Sequence, residues 1–324
     1  MKKILIDCDP GIDDAIAILM ALAAPELEVV GITAVGGNVG VDTTARNALA
    51  LAALAAGGAP DRQVPVARGA DLAMFAEKRR AESVHGIDGL GGVRLPEPSW
   101  PLEKIPAWDF IRDAALRSGG SLEIVAIGPL TNIAMTLAAY PAAARSIKAI
   151  HIMGGSAGLG NATPAAEFNI YADPHAAAAV FQSGIPITMC GLDVTRRASL
   201  TPSGLEALKA IGGRVLSPAC AMLDHYLAAY RGFGLNALAL HDPLVVAHIV
   251  DPSLVTFRPY RVEVETEGKY TTGKTVVDIH GIAKRPPNAQ VGVELDVVGF
   301  IALMTRLLCS YDAPGGQGSS REAR

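Results

Sequence analysis

The sequence predicts an α/β fold, a single domain whose mostly parallel central sheet is flanked by helices on both faces. Three observations predict it. Short apolar runs rich in isoleucine and valine alternate with alanine- and leucine-rich runs of helical length. The first of the short runs, Ile4-Leu5-Ile6, is apolar throughout, as a strand covered on both faces is. Glycine and proline stand where one run must give way to the next.

Residues 4–6 read as the first strand, Pro10-Gly11 as a turn, and residues from Ala15 as a helix stopped by Pro25. Residues 27–35 form a second strand ending in Gly36-Gly37-Asn38, and residues 43–56 a helix closed by Gly57-Gly58. The alternation continues with a strand at 122–127, a helix at 130–139 ended before Pro141, and a strand at 147–153. A helix at 174–181 closes near Gly184, and a strand follows at 185–190. Residues 201–230 carry a helical pattern, residues 260–264, 274–279 and 289–295 read as strands, and residues 296–308 form a closing helix. Two glycine-bearing stretches, 70–100 and 154–168, exceed ordinary connections and are candidate active-site loops. With no internal repeat and no linker, one domain spans residues 1–312, and the Gly-, Ser- and charge-rich tail, 313–324, is expected to be disordered.

Composition narrows the partners. At 324 residues, half of them hydrophobic, the chain can bury a large core. The net charge of -4 comes without any basic block; Lys78-Arg79-Arg80 is the densest cluster and reads as a solvated helix face, so nucleic acid is not an expected partner. Apolar runs fall short of the roughly 20 residues that cross a bilayer, so a soluble, unexported protein and no membrane partner are expected. Cys8, Cys190, Cys220 and Cys309 are far apart and show no C-x-x-C pairing, which fits reduced thiols and a cytoplasmic location.

The chemistry is concentrated at predicted strand ends, where open α/β sheets bind ligands. Asp7-Cys8-Asp9-Pro10-Gly11-Ile12-Asp13-Asp14 places four carboxylates between the first strand and first helix. Helix capping accounts for Asp13 and Asp14 and leaves Asp7 and Asp9 without a role. Crowded carboxylates repel one another unless a cation neutralises them, which points to a hard, oxygen-seeking metal such as Ca²⁺ or Mg²⁺. After the second strand, Asn38 offers a donor and an acceptor beside two glycines, though a plain turn would look the same. Gly128-Pro129-Leu130-Thr131-Asn132 opens a helix, and the carbonyl of Ile127 just before it could ligate a metal. Glu167-Phe168-Asn169, with Asn161 shortly before, suits a polyhydroxylated ligand or, equally, a polar surface loop. His241-Asp242-Pro243, ahead of an apolar helix at 244–250, offers a proton donor and a metal ligand, though Asp-Pro at a helix start also serves capping alone. His85-Gly86-Ile87-Asp88-Gly89 adds a histidine beside glycine hinges, in a setting typical of an exposed loop. No phosphate-loop signature and no G-x-S-x-G elbow occurs, which disfavours nucleotide-phosphate binding and serine-nucleophile chemistry.

Taken in order, Asp7-x-Asp9-x-Gly11-x-Asp13-Asp14, Gly37-Asn38, His85-Gly86-x-Asp88-Gly89, Gly128-Pro129-Leu130-Thr131-Asn132, Asn161 with Glu167-Phe168-Asn169, and His241-Asp242-Pro243 resemble the inosine-uridine-preferring nucleoside hydrolases. The match runs over almost the whole chain. The resemblance implies the fold of that family and Ca²⁺-dependent hydrolysis of the N-glycosidic bond of ribonucleosides to ribose and free base. It implies that Asp9, Asp14, the Ile127 carbonyl and Asp242 hold the Ca²⁺. Asp13, Asn161, Glu167, Asn169 and Asp242 would bind the ribose hydroxyls, with Asn38 near the sugar and Met153 and Phe168 lining the pocket. Asp9 would be the general base on a Ca²⁺-bound water, and His241 the proton donor to the leaving group, with His85 nearby. His241 argues for the branch accepting inosine and uridine, and Tyr226 and Tyr230, at i, i+4 spacing, are candidates to contact the base or, equally, ordinary packing residues. A homotetramer or homodimer is also implied. One departure is the missing arginine before Gly273 in Tyr270-Thr271-Thr272-Gly273.

The chemistry of the reaction needs these residue types. Glycosidic cleavage through an oxocarbenium-like sugar calls for negative charge around the ring, a delivered water, and a donor to the departing base. Carboxylates, a cation with an adjacent base, and histidine meet those needs. Two other readings compete. A haloacid dehalogenase-like phosphatase also starts with Asp-x-Asp after an apolar strand, but the position that should be threonine or valine is Gly11, and Asp13-Asp14 would go unexplained. A non-catalytic Ca²⁺-dependent sugar or nucleoside sensor would leave Asp9 and His241 no purpose beyond binding.

Overall fold

The computed structural model describes residues 1–75 and 79–312. In chain order its strands are β1 (Lys2–Cys8), β2 (Leu27–Ala34), β3 (Val66–Arg68), β4 (Leu122–Ala126), β5 (Ile147–Met153), β6 (Ile187–Cys190), β7 (Ser199–Leu200), β8 (Leu238–Ala239), β9 (Val255–Tyr260), β10 (Val262–Val264), β11 (Thr275–Val277) and β12 (Ala289–Leu295). Eight form one sheet in the order β3-β2-β1-β4-β5-β6-β12-β9. Every neighbouring pair is parallel except β12 with β9, which is antiparallel. The order reverses at β1, which pairs with β2 on one side and β4 on the other. A crevice opens beyond the carboxyl ends of such a pair of strands.

The two-residue period of a strand divides the core. Ile4, Ile6 and Cys8 face one apolar cluster and Leu5 faces the other. The first face is covered by helices Ile12–Ala23, Val41–Ala56, Leu216–Gly232, His241–Val250 and Val297–Cys309. The opposite face is covered by Ala107–Arg117, Thr131–Ala139 and Pro174–Phe181. The expected α/β architecture with a mostly parallel, two-sided sheet is therefore observed. Helix starts follow capping chemistry: Asp173 accepts from Ala176 N–H ahead of Pro174, and Asp296 accepts from Gly299 N–H.

Several sequence expectations need correction. The helical pattern at 201–230 is two helices, Pro202–Ile211 and Leu216–Gly232, because Gly212 and Gly213 take φ values of +66° and +132° that end the first. The strand expected at 260–264 is a boundary: β9 ends at Tyr260, and β10 leaves the main sheet to pair with β11. The short strand β3 and the edge strand β9, the latter interrupted by Arg258 and Pro259, carry little apolar pattern to read. Arg79 and Arg80 do not lie on a helix; Lys78 falls outside the described residues, as does the tail from Ala313. All four cysteines are free, and Cys8, Cys190 and Cys220 are buried. No helix among the described residues is long and apolar enough to cross a membrane.

Candidate active site

Parallel register carries distant residues to one rim. Asp7 pairs with Thr33 and Ala126, so Asp9 beyond β1, Asn38 beyond β2 and Ile127 beyond β4 emerge together at the switch of strand order. Helix Ile12–Ala23 packs beside helix His241–Val250. Their first turns bring Asp13 and Asp14 to Asp242, where the positive ends of two helices favour negative charge. One ligand oxygen from each of Asp13, Asp14 and Asp242 can lie within 4.8 Å of the others. Asp9 joins through its neighbours: its N–H donates to Asp14 Oδ1 at 3.1 Å, and Asn38 Nδ2 donates both to the Asp9 carbonyl and to Asp14 Oδ2, each at 3.1 Å. Asn38 N–H also donates to Asp9 Oδ2 at 2.6 Å. Asp7 lies apart, bonded through Oδ1 to Thr33 Oγ1 and Asn132 Nδ2. It braces the strand ends.

Three glycines make room for this geometry. A Cβ at Gly37 would stand 2.0 Å from Asp9 Oδ2, and one at Gly128 2.6 Å from Asp9 Oδ1. A Cβ at Gly11 would meet both Asn38 Nδ2 and His85 Nδ1 at 2.7 Å. The Asp9 carboxylate therefore occupies a cradle that any larger residue would fill.

Burial and mutual repulsion set the charge state. Burial first, then the neighbouring carboxylates, push Asp9, Asp13 and Asp242 well above the usual carboxylate range; burial also raises Asp14, against backbone N–H donors that lower it. Burial likewise raises Asp7 to about 7 and Glu167 to about 6. Asp9 Oδ1 is buried without a hydrogen-bond partner among the described residues. An orphaned carboxylate oxygen in a group of acids that resist ionising together fits a hard divalent cation, which would supply the missing partner and the missing positive charge.

A cavity of about 630 Å³ opens above the cluster. Asp13, Asn38, His85, Ile127, Met153, Asn161, Glu167, Phe168, Asn169, Tyr226, Tyr230, His241 and Asp242 all line it, while Asp9 and Asp14 are fully buried next to lining residues, Asp9 bonded to Asn38 and Asp14 grouped with Asp13 and Asp242. Every residue singled out from the sequence as touching substrate is thus brought together. A larger cavity of about 960 Å³, lined by Arg46, Arg94 and His225, holds none of the acid cluster.

The walls are held by local hydrogen bonds. Glu167 is not on a surface loop: it is buried and caps the helix Phe168–Ala172, accepting from Asn169 N–H, Ile170 N–H and Gly155 N–H. Asn169 Nδ2 donates to the Ile127 carbonyl at 2.9 Å and the Met153 carbonyl at 3.1 Å, tying two strand ends together. Asn161 is exposed, and its Oδ1 accepts from Phe168 N–H. His85, which the sequence makes look like an exposed loop histidine, is buried at the end of the short helix Glu82–His85. Its Nδ1 accepts from Ile12 N–H at the start of helix Ile12–Ala23. Burial holds His85 down at about 3 and His241 at about 4, so both imidazoles are neutral at pH 7.

The tyrosines sit beside these rings. Tyr226 and Tyr230 pack edge to face with centroids 4.7 Å apart, and His85 lies 5.4 Å from the Tyr226 ring. Their hydroxyls are 3.2 Å apart, and Tyr230 OH is 3.3 Å from His241 Nε2. His241 Nδ1 is 2.8 Å from Thr195 Oγ1.

Sequence reasoning missed part of the wall. Arg79 and Arg80 line the cavity instead of facing solvent from a helix. Arg79 lies over the Tyr171 ring and donates to the Tyr171 carbonyl; Arg80 pairs with Asp71 at 2.7 Å. Their place inside a long loop was the available signal. Thr195 follows β6, so the strand-end rule that found Asp9 could have found it as well.

The relatives compared with this chain are all ribonucleoside hydrolases. A family model described as inosine-uridine preferring nucleoside hydrolase matches residues 4–302. The non-specific ribonucleoside hydrolase RihC of Escherichia coli (strain SMS-3-5 / SECEC) is 47% identical over 300 residues, 92% of this chain and 95% of the relative. The pyrimidine-specific ribonucleoside hydrolase RihA of Klebsiella pneumoniae subsp. pneumoniae is 43% identical over 310 residues, 95% of this chain and 98% of the relative. Among solved structures, a purine-preferring ribonucleoside hydrolase from Gardnerella vaginalis superposes with a TM-score of 0.87 at 37% identity, covering 95% of this chain and 98% of that one.

Proposed function

The chain belongs to the inosine-uridine preferring nucleoside hydrolase family, and from that premise we propose that it hydrolyses the N-glycosidic bond of purine and pyrimidine ribonucleosides to ribose and free base, with Ca²⁺ held in the acid cluster. One observation carries the reading: one cavity is lined together by Asp13 and Asp242 of the buried acid cluster, by Asn38, Asn161 and Asn169, and by His85, His241, Tyr226 and Tyr230, and the adjoining buried Asp9 keeps an orphaned carboxylate oxygen. Its volume suits a nucleoside-sized ligand.

Asp9, Asp14, Asp242 and the Ile127 carbonyl would hold the cation, all of them hard oxygen donors. When bound, it supplies positive charge that lets the carboxylates ionise together and that polarises water. Asp9, with Oδ2 fixed by Asn38 N–H, takes the proton from the attacking water. Asp13, Asn161, Glu167, Asn169 and Asp242 bind the ribose hydroxyls, with Asn38, Met153 and Phe168 beside the sugar. Their carboxylates stabilise the positive charge that grows on the ring. His241 donates from the cavity wall to the departing base as a neutral imidazole, and His85, Tyr226 and Tyr230 contact that base. The catalytic unit spans residues 1–312 and works as a homodimer or homotetramer in the cytoplasm, with a small-molecule nucleoside as its substrate.

The test is ribose release from uridine, cytidine, inosine and adenosine with Ca²⁺ present. No release from any of the four would overturn the proposal. Hydrolysis of a generic phosphate ester in its place would support the phosphatase reading.

A further inference from the structure

Thr195 ends the short helix Leu192–Thr195 that follows β6, and its side chain is fully buried. Its hydroxyl has one hydrogen-bond partner among the described residues, His241 Nδ1 at 2.8 Å. A threonine hydroxyl carries one hydrogen, and a buried one must give it to an acceptor. If Nδ1 carried the imidazole hydrogen and donated to Oγ1, the hydroxyl hydrogen would have nowhere to go and a buried donor would be left unsatisfied. With the hydroxyl donating, every atom is satisfied: Nδ1 accepts, and the ring hydrogen resides on Nε2, 3.3 Å from Tyr230 OH at the cavity wall.

The backbone holds the two residues in register. Leu240 N–H donates to the Ala198 carbonyl at 2.8 Å, and β7 pairs antiparallel with β8, so the segment after Thr195 is stitched to the segment before His241. Thr195 N–H itself bonds to the Gly191 carbonyl. A β-branched side chain on this frame has few rotamers available.

We propose that Thr195 is a positioning residue for His241, its hydroxyl fixing the imidazole in the tautomer that presents an Nε2–H to the departing base. The role rests on the reading of the cavity as a nucleoside hydrolase site. No bond forms or breaks at Thr195; it determines which nitrogen of His241 can donate. The donor then stabilises negative charge gathering on the base nitrogen as the glycosidic bond breaks.

The inference is tested by leaving-group dependence. Thr195→Val, which keeps the shape and removes the donor, should lower kcat for uridine and inosine by about tenfold or more, with little change in KM. The same variant should cleave 4-nitrophenyl β-D-ribofuranoside at the native rate, because nitrophenolate departs without a donor. Thr195→Ser should restore nucleoside turnover. Equal losses on both substrate types, or no loss on either, would overturn the proposal. Should Thr195→Val fail to fold, ¹⁵N spectra of the native, histidine-labelled protein decide, with the His241 signal identified by its absence in His241→Gln: the Nε2–H pattern is expected, and the Nδ1–H pattern would refute it. A native protein inactive on every nucleoside would instead count against the hydrolase reading, leaving the tautomer measurement to stand alone.

Discussion

Replacing Gly37 by alanine should cripple turnover without altering any ionisable group. Gly37 is not in the left-handed region, so alanine meets no backbone strain there. The new Cβ would stand 2.0 Å from Asp9 Oδ2, 2.8 Å from Asp9 Cγ and 2.9 Å from Pro129 Cδ. Ordinary contact begins near 3.4 Å, so the carboxylate must retreat by 3.4 − 2.0 = 1.4 Å. It would thereby surrender the 2.6 Å hydrogen bond from Asn38 N–H, worth about 1.5–3 kcal/mol to a charged acceptor. Displacing a reacting group by about 1 Å costs about 10²-fold in rate. The expected result is a fall of about 10²-fold in kcat for ribose release from inosine, with overpacking that costs about 1–3 kcal/mol of stability. Steady-state kinetics and thermal melting measure the two effects. Gly40→Ala is the control, since a Cβ there finds only Asp71 Oδ1 at 3.8 Å, and it should keep native kcat. A Gly37→Ala enzyme with native kcat and native melting temperature would refute the placement of Asp9 as the base.

Chelation should lower the melting temperature, and Ca²⁺ at about 100 times its Kd should restore about 2.7 kcal/mol, roughly 5 °C for a chain of this size; a melting curve indifferent to Ca²⁺ would contradict the acid cluster as a cation site. Affinity for the cation should fall as pH drops, because burial and repulsion raise the cluster's carboxylates and protons then compete for them; calorimetric titration at two pH values would detect a pH-independent affinity. Glu123 is held at about 2 chiefly by His151, with Lys148 adding to it, so its stabilisation is present above its ordinary 4.5 and lost as pH falls through about 2. Glu123→Gln should therefore melt lower than native at neutral pH, the gap closing across that acid window; a gap that widened on acidification would show the sign to be wrong.

The acid cluster was legible because its parts are local: an apolar strand, a turn with Gly11, and a helix start place four carboxylates within eight residues. Ile127, Asn169 and His241 could be read as companions because each stands at the end of a strand or the start of a helix, where sheet topology gathers side chains. Burial was harder to foresee. His85 and Glu167 carry the composition of surface loops, yet each is drawn inward by backbone N–H groups, from Ile12 for the first and from Gly155, Asn169 and Ile170 for the second. Thr195 escaped notice since its partner lies 46 residues away, across the β7–β8 pairing. The break at Gly212-Gly213 and the edge strand β9 were hidden for opposite reasons, a helical pattern that continues across two glycines and a strand that interrupts its own pattern with Arg258 and Pro259.

The central claim is that Asp9, in its glycine cradle over the acid cluster, makes this cavity a hydrolytic site for ribonucleosides. Its most direct test is ribose release from inosine and uridine in the presence of Ca²⁺, measured side by side for the native protein and Asp9→Ala. Turnover by the native protein and its loss in the variant are predicted; native turnover that survives the substitution would contradict the claim.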